Sequence, residues 1–247
     1  MSRRDKSGAS DYAAQRKMIG DQLSFAGAEA YKLLRTNIEF SLPDEEGCRI
    51  IGVTSGMSGE GKSTTSINLA YSLAETGRRV LLMEADMRLP TLHDRIGVSA
   101  APGLSNLLVG RCNGAEVLQK SGIQSNLYVI SGGDIPPNPS ELLGSDHMSV
   151  TIKVMSQSFD FIILDLPPVN VVADALVVSK FLSGMVVVVR QDYATRKSLS
   201  DLMRQLQFQD IRVLGFVLTR VSEHGSYYKK NYYKSYSGSY ASGKSGR

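Results

Sequence analysis

Cysteine is nearly absent: the 247 residues hold only Cys48 and Cys112. So isolated a pair has no metal-ligand spacing and reads as two free thiols. Long hydrophobic runs are missing too. The longest apolar stretches, such as MVVVV at 185–189, fall far short of the roughly 18–20 residues a membrane span requires. The N-terminal stretch MSRRDKSGASDYAAQRK has no apolar run behind its basic residues, so it does not read as a secretory signal. These absences predict a soluble, intracellular chain. A surplus of one charge is also lacking over most of the sequence. The net charge is +4, but six basic residues and one acidic residue lie from Arg220 onward, which leaves 22 basic against 23 acidic elsewhere. A near-neutral body with a basic end does not indicate a uniform nucleic-acid-binding surface. What is present is 42% hydrophobic residues, enough for a core in one large domain.

Residues 1–22 are polar, charged and aperiodic, and read as a flexible basic arm. Residues 24–40 show helical spacing, with Ala30, Leu33, Leu34 and Ile38 placed on one side. Short runs rich in β-branched residues then alternate with helical patterns. Strands are expected at 49–55, 78–86, 127–131, 159–165, 185–190 and 212–220, and helices at 63–76, 145–157, 173–182 and 195–207. Strands apolar on both faces and separated by helices define an α/β fold, with a mostly parallel central sheet covered by helices on both faces. The domain spans 23–221. From Ser222 the chain turns to Gly, Ser, Lys and Tyr, with Ala241 as the sole aliphatic residue. Such a tail, 222–247, is expected to be disordered. It carries six of the 11 tyrosines: Tyr227, Tyr228, Tyr232, Tyr233, Tyr236 and Tyr240.

Between the first strand of this alternation and its helix lies GMSGEGKST. Gly56 to Ser63 fits G-x-x-x-x-G-K-[ST] in the strand–loop–helix context that the motif needs. Gly56, Gly59 and Gly61, with Ser58 and Glu60 between them, let the backbone curl so that its N–H groups point at phosphates. The helix that follows turns its positive end to the same anions. Lys62 supplies a charge to the β- and γ-phosphates, and Ser63 a hydroxyl to Mg2+. This is a P-loop nucleotide-binding fold. FIILD ends in Asp165, the Walker B position, where a carboxylate at the C-terminal end of a buried parallel strand faces the crevice and can hold the metal. A second acidic pair, Glu84 and Asp86, ends LLMEADMR. Two residues apart on an extended chain, they are expected to point the same way and to face the γ-phosphate with Arg88 nearby.

GMSGEGKSTTSINLA, VLLMEADMRLPTLH, GGDIPPNPSELL and FDFIILDLPPV, in this order, resemble the bacterial tyrosine kinases of the capsule and exopolysaccharide type. EAYKLLRTNI resembles that family's N-terminal helix, and the tyrosine-rich tail its autophosphorylation cluster; the likeness spans about residues 24–240. The resemblance implies an ATP- and Mg2+-dependent protein-tyrosine kinase on a P-loop fold. No H-R-D or D-F-G motif of the eukaryotic kinase fold occurs. It implies Lys62 on the β/γ-phosphates, Ser63, Asp86 and Asp165 at the metal, Thr64 on the α-phosphate, and Glu84 and Asp86 in the family's second acidic motif. Glu84 stands where the family has Asp, and Lys32 where its Glu-x-x-Arg-x-x-Arg ring-assembly motif has the first Arg; Glu29 and Arg35 match. Thr219 ends the last strand where related ATPases often carry an Asn near the adenine, and no base contact is assigned to it. The implied partners are a transmembrane activator of the polysaccharide chain-length class, further copies of the chain in a possible ring, and a tyrosine phosphatase. The implied location is the cytoplasm, at the inner face of the membrane. The competing reading is a nucleotide-switched dimeric ATPase of the cell-division-site or plasmid-partition type. Those usually carry an extra lysine early in the P-loop, and none precedes Lys62 in SGMSGEGK.

Overall fold

The computed structural model describes residues 18–42 and 47–221. Helix α1 (Phe25–Ser41) precedes β1 (Arg49–Ser55), the P-loop and α2 (Lys62–Ala74). Next come β2 (Val80–Glu84), three short helices α3 (Leu92–Ile96), α4 (Leu104–Leu108) and α5 (Gly114–Val117), and strands β3 (Gln119–Lys120) and β4 (Leu127–Ile130). Helices α6 (Pro139–Gly144) and α7 (Asp146–Ser156) lead to β5 (Phe161–Asp165). The described chain closes with α8 (Asp174–Val177), β6 (Gly184–Arg190), α9 (Arg196–Phe208) and β7 (Val213–Thr219).

The seven strands form one sheet in the order β3-β4-β2-β5-β1-β6-β7. All neighbours are parallel except β3, which runs antiparallel to β4. Successive side chains of a strand point to opposite faces, so each strand feeds two cores. Ile51 and Val53 of β1, Leu82 of β2 and Ile163 of β5 pack with Ile67 and Leu73 of α2. Their strand neighbours Ile50, Leu81, Met83, Ile162 and Leu164 pack with Met148 and Ile152 of α7 and Leu202 and Leu206 of α9 on the other face. Both faces are covered, which is why these strands read as continuous apolar runs. Among the described residues, no helix is long and apolar enough to cross a membrane.

Two expectations at the N-terminus need correction. On α1 only Ile38 is fully buried; Leu33 is 62% exposed, and Ala30 also faces outward. Residue 33 lies about 100° around the helix from the line through 34 and 38, so it leaves the buried stripe. The domain also begins earlier than residue 23. Ile19 is buried, and Asn68 of α2 clasps the segment from both sides. Its Oδ1 accepts from Gly20 N at 2.9 Å, and its Nδ2 donates to Met18 O at 2.9 Å. The rest of the basic arm (1–17) and the tail (222–247) lie outside the described residues.

Candidate nucleotide and phosphotransfer site

The site sits where the central strands end. β1 lies between β5 and β6, and Val53 pairs in register with Asp165. The P-loop leaves β1 here. Gly59 (φ 81°) and Gly61 (φ 100°) take left-handed backbone conformations that residues with a Cβ adopt at a cost. Helix α2 starts directly after Gly61. Its first helical bond runs from Thr65 N to Gly61 O. The amides of Lys62, Ser63 and Thr64 precede that bond and are the helix's N-terminal donors without an intrahelical acceptor. They gather at the positive end of the helix and suit an anion.

The loop's carbonyls are occupied by the protein itself. Ser55 Oγ donates to Met57 O at 2.7 Å, and the Tyr193 hydroxyl to Ser58 O at 3.1 Å. Arg190 donates to Gly59 O at 3.3 Å, and Thr219 Oγ1 to Glu60 O at 2.7 Å. Four consecutive carbonyls are thus gripped, three of them by groups at the ends of β6 and β7. Peptide planes fixed in this way leave their N–H groups for phosphate. Glu60, buried, folds back so that its Oε2 accepts from Met57 N at 2.8 Å. It shapes the loop from inside. Sequence reading missed Arg190 and Tyr193, and considered Thr219 only for a contact to the base, which it did not assign.

The charged centre lies beside the loop. Lys62 Nζ is 2.7 Å from Asp86 Oδ2, with the side chains only 12% and 5% exposed. Burial works against the Lys62 charge, but Asp165 and Asp86 outweigh it and hold its pKa above the ordinary value. Asp165 is buried, which pushes its carboxyl up against the opposing pull of the Lys62 charge and of the hydrogen bond from Ser66. Its Oδ1 accepts from Ser66 Oγ at 3.0 Å, whereas the buried Oδ2 has no partner. A buried carboxylate oxygen without a partner is costly unless a ligand meets it. With the Ser63 hydroxyl alongside and Asp86 across from Lys62, the donors are hard oxygens, few in number. That set fits Mg2+, which takes one or two carboxylates and completes its shell with phosphate and water.

Glu84 departs from its expected place. Strand β2 stops at Glu84, and the chain then hooks onto β5 as Ala85 N and Asp86 N both donate to Asp165 O, at 2.9 and 3.1 Å. The two carboxylates therefore do not continue one extended register. Glu84 Oε1 accepts from Thr91 N and, at 2.8 Å, from Leu92 N; Oε2 accepts from Gly132 N at 2.8 Å. Each carboxylate oxygen is engaged by backbone, so Glu84 ties two loops to the strand end. Arg88 does not stand free for a phosphate either. It forms a fork with the fully buried Asp174, at 2.8 Å through Nε and 3.1 Å through NH2, and it reaches Ser140 at 3.3 Å. Thr64 Oγ1 accepts from Arg95 NH1 at 3.1 Å, a further contact that sequence reading missed.

The residues of the expected assembly motif are divided. Glu29 and Lys32 are exposed and paired with each other at 2.7 Å. Arg35 turns inward and donates to Ser72 O at 2.6 Å, pinning α1 on α2. The six tail tyrosines lie outside the described residues.

A P-loop, a lysine between two strand-end carboxylates and a parallel sheet define a nucleotide-binding protein of the P-loop class. The AAA domain family matches residues 48–212. Tyrosine-protein kinase YwqD of Bacillus subtilis is 34% identical over 202 residues, covering 81% of this chain and 84% of that one. The solved kinase domain of the Escherichia coli tyrosine kinase ETK superposes with a TM-score of 0.78 at 32% identity, covering 83% of this chain and 80% of that one. The cell-division ATPase MinD of Pyrococcus furiosus gives a TM-score of 0.59 at 26% identity, covering 71% and 74%. The chain belongs to the bacterial tyrosine kinases and is a tyrosine-protein kinase; the shared P-loop architecture explains its lesser likeness to the division ATPase.

Proposed function

We propose that the chain uses ATP and Mg2+ to phosphorylate its own C-terminal tyrosines, Tyr227 to Tyr240, in trans between copies, and thereby regulates capsular or exopolysaccharide synthesis and export. The observation that carries this reading is the buried Lys62–Asp86–Asp165 centre beside a preformed P-loop, with Asp165 Oδ2 lacking a partner. Lys62, with the P-loop and helix-start amides, holds the β/γ-phosphates. Ser63, Asp86 and Asp165 are the groups that would hold Mg2+, whose charge offsets that of the transferred phosphoryl group. With Glu84 committed to backbone, the acidic help for the acceptor falls to Asp86 and Asp165. Tyrosine ionises near pH 10 when unperturbed, so a carboxylate that accepts its proton or orients its hydroxyl assists at neutral pH.

A membrane-bound activator of the polysaccharide chain-length class, contributing a cytoplasmic tail, fits this reading. It would hold the kinase at the inner face of the cell membrane, and a tyrosine phosphatase would reset the tail. Intact mass after incubation with ATP and Mg2+, with and without such an activator tail, is the test. The expected result is a ladder of phosphate additions that maps to Tyr227–Tyr240 and vanishes in Lys62→Met. Hydrolysis of ATP with no phosphate on the chain under either condition would overturn the autophosphorylation reading.

A further inference from the structure

We propose that Arg95 is a further phosphate-contacting residue of the nucleotide site, delivered to it by α3. The inference rests on the nucleotide-binding reading above. Arg95 is half-buried on the short helix α3. Its Nε donates to Thr91 Oγ1 at 3.2 Å and its NH1 to Thr64 Oγ1 at 3.1 Å. Among the described residues it forms no ion pair, whereas Arg88 forks onto Asp174. A guanidinium carries five N–H donors, and two hydroxyls are weak company for a cation drawn partly out of water. Thr64 stands in the first turn of α2, one residue past Ser63, where the helix's unpaired amides gather. An anion at that helix start is therefore the counter-charge that Arg95 lacks.

The direction of the hydrogen bond strengthens the case. Guanidinium nitrogen cannot accept, so Thr64 Oγ1 accepts from Arg95 and its own hydrogen is left to donate elsewhere. A phosphate oxygen over the helix start would take that hydrogen and lie within reach of the remaining guanidinium donors. The arrangement is braced from behind. Glu84 binds the backbone N–H groups of Thr91 and Leu92, the residues at which α3 begins, and ties them to β2 and to Gly132. Glu84 is thus a positioning residue for Arg95, which gives the displaced acidic motif a role toward the nucleotide that needs no direct contact.

Calorimetric binding of Mg2+–ADP and of adenosine to the full chain tests the proposal. Arg95→Ala is expected to weaken Mg2+–ADP tenfold or more, on the scale of a lost charge-assisted hydrogen bond, and to leave adenosine binding unchanged. Arg95→Lys, which keeps the charge but not the fork, should recover part of the loss. Should Arg95→Ala fail to fold, Arg95→Gln serves in the same comparison. Wild-type affinity for Mg2+–ADP in a folded Arg95 variant would overturn the proposal. So would an equal loss for ADP and adenosine, or a lowered melting temperature with affinity intact, either of which marks a merely structural arginine. A wild-type chain that bound no Mg2+–ADP would instead overturn the nucleotide reading beneath it.

Discussion

Glu84 carries a measurable signature at the scale of a single residue. Burial pushes its carboxyl up to about 7, against the pull of three backbone N–H groups that favour the charged form. A group that holds its proton more tightly folded than unfolded stabilises the fold at low pH. That stabilisation is fully present below the ordinary value of 4.5 and is lost as pH rises through about 7. Urea midpoints measured from about pH 5 to about pH 8 are expected to fall in the wild type and to lose most of that slope in Glu84→Gln. Asp165 shifts in the same direction, so a residual slope in the variant is expected; an unchanged slope would remove Glu84 from the account. The contrast in legibility is physical. The P-loop could be read because its parts are contiguous and each glycine and lysine has a fixed duty. Tyr193 and Thr219 grip that loop across 135 and 159 residues of sequence, and Arg95 reaches Thr64 only because α3 folds back. No local pattern announces contacts of that range. Glu84 and Asp86 misled because alternation holds only while a strand lasts, and β2 ends between them.

Among elements, the central parallel strands and the longer helices were legible because burial on both faces leaves unbroken apolar runs in β1, β2 and β5 and because α2, α7 and α9 are long enough to show their period. The short helices α3 to α6 were not, since four to six residues complete scarcely more than one turn. Two of these pieces nevertheless reach the site: α3 brings Arg95 to Thr64, and α6 brings Ser140 to Arg88. Helix α4 is seated by Gly103: a Cβ there would come within 2.4 Å of both Gly133 N and Ser131 O. Backbone, unlike a flexible side chain, cannot step aside. Gly103→Ala is therefore expected to destabilise the chain by about 2–3 kcal/mol or more in urea unfolding. It should also weaken nucleotide binding, because the loop it displaces carries Gly132, whose amide holds Glu84. A variant with wild-type stability would show that the 131–133 loop moves more freely than its packing implies.

For the whole molecule, charge on the tail sets the expectation. The chain from Arg220 onward carries six basic residues and one acidic. Six phosphates would add roughly −9 to −12, which reverses its sign. An unmodified basic tail suits a neighbour's acidic centre, and a modified one is repelled from it. Assemblies measured by light scattering are therefore expected to shrink when ATP and Mg2+ are added, and to keep their size in Lys62→Met. Unchanged assembly with fully phosphorylated tails would sink this switch. The exposed Glu29–Lys32 pair leaves the outer face of α1 free to take part in such assembly, whereas Arg35 is occupied on Ser72.

The grip on the four P-loop carbonyls bears on how fast a nucleotide is taken up. A loop held by Ser55, Tyr193, Arg190 and Thr219 has its shape before any phosphate arrives. Encounter need not wait for the backbone to order, and that ordering entropy is not charged against affinity. Differences among variants of the site should then appear chiefly in residence time, with association rates little changed.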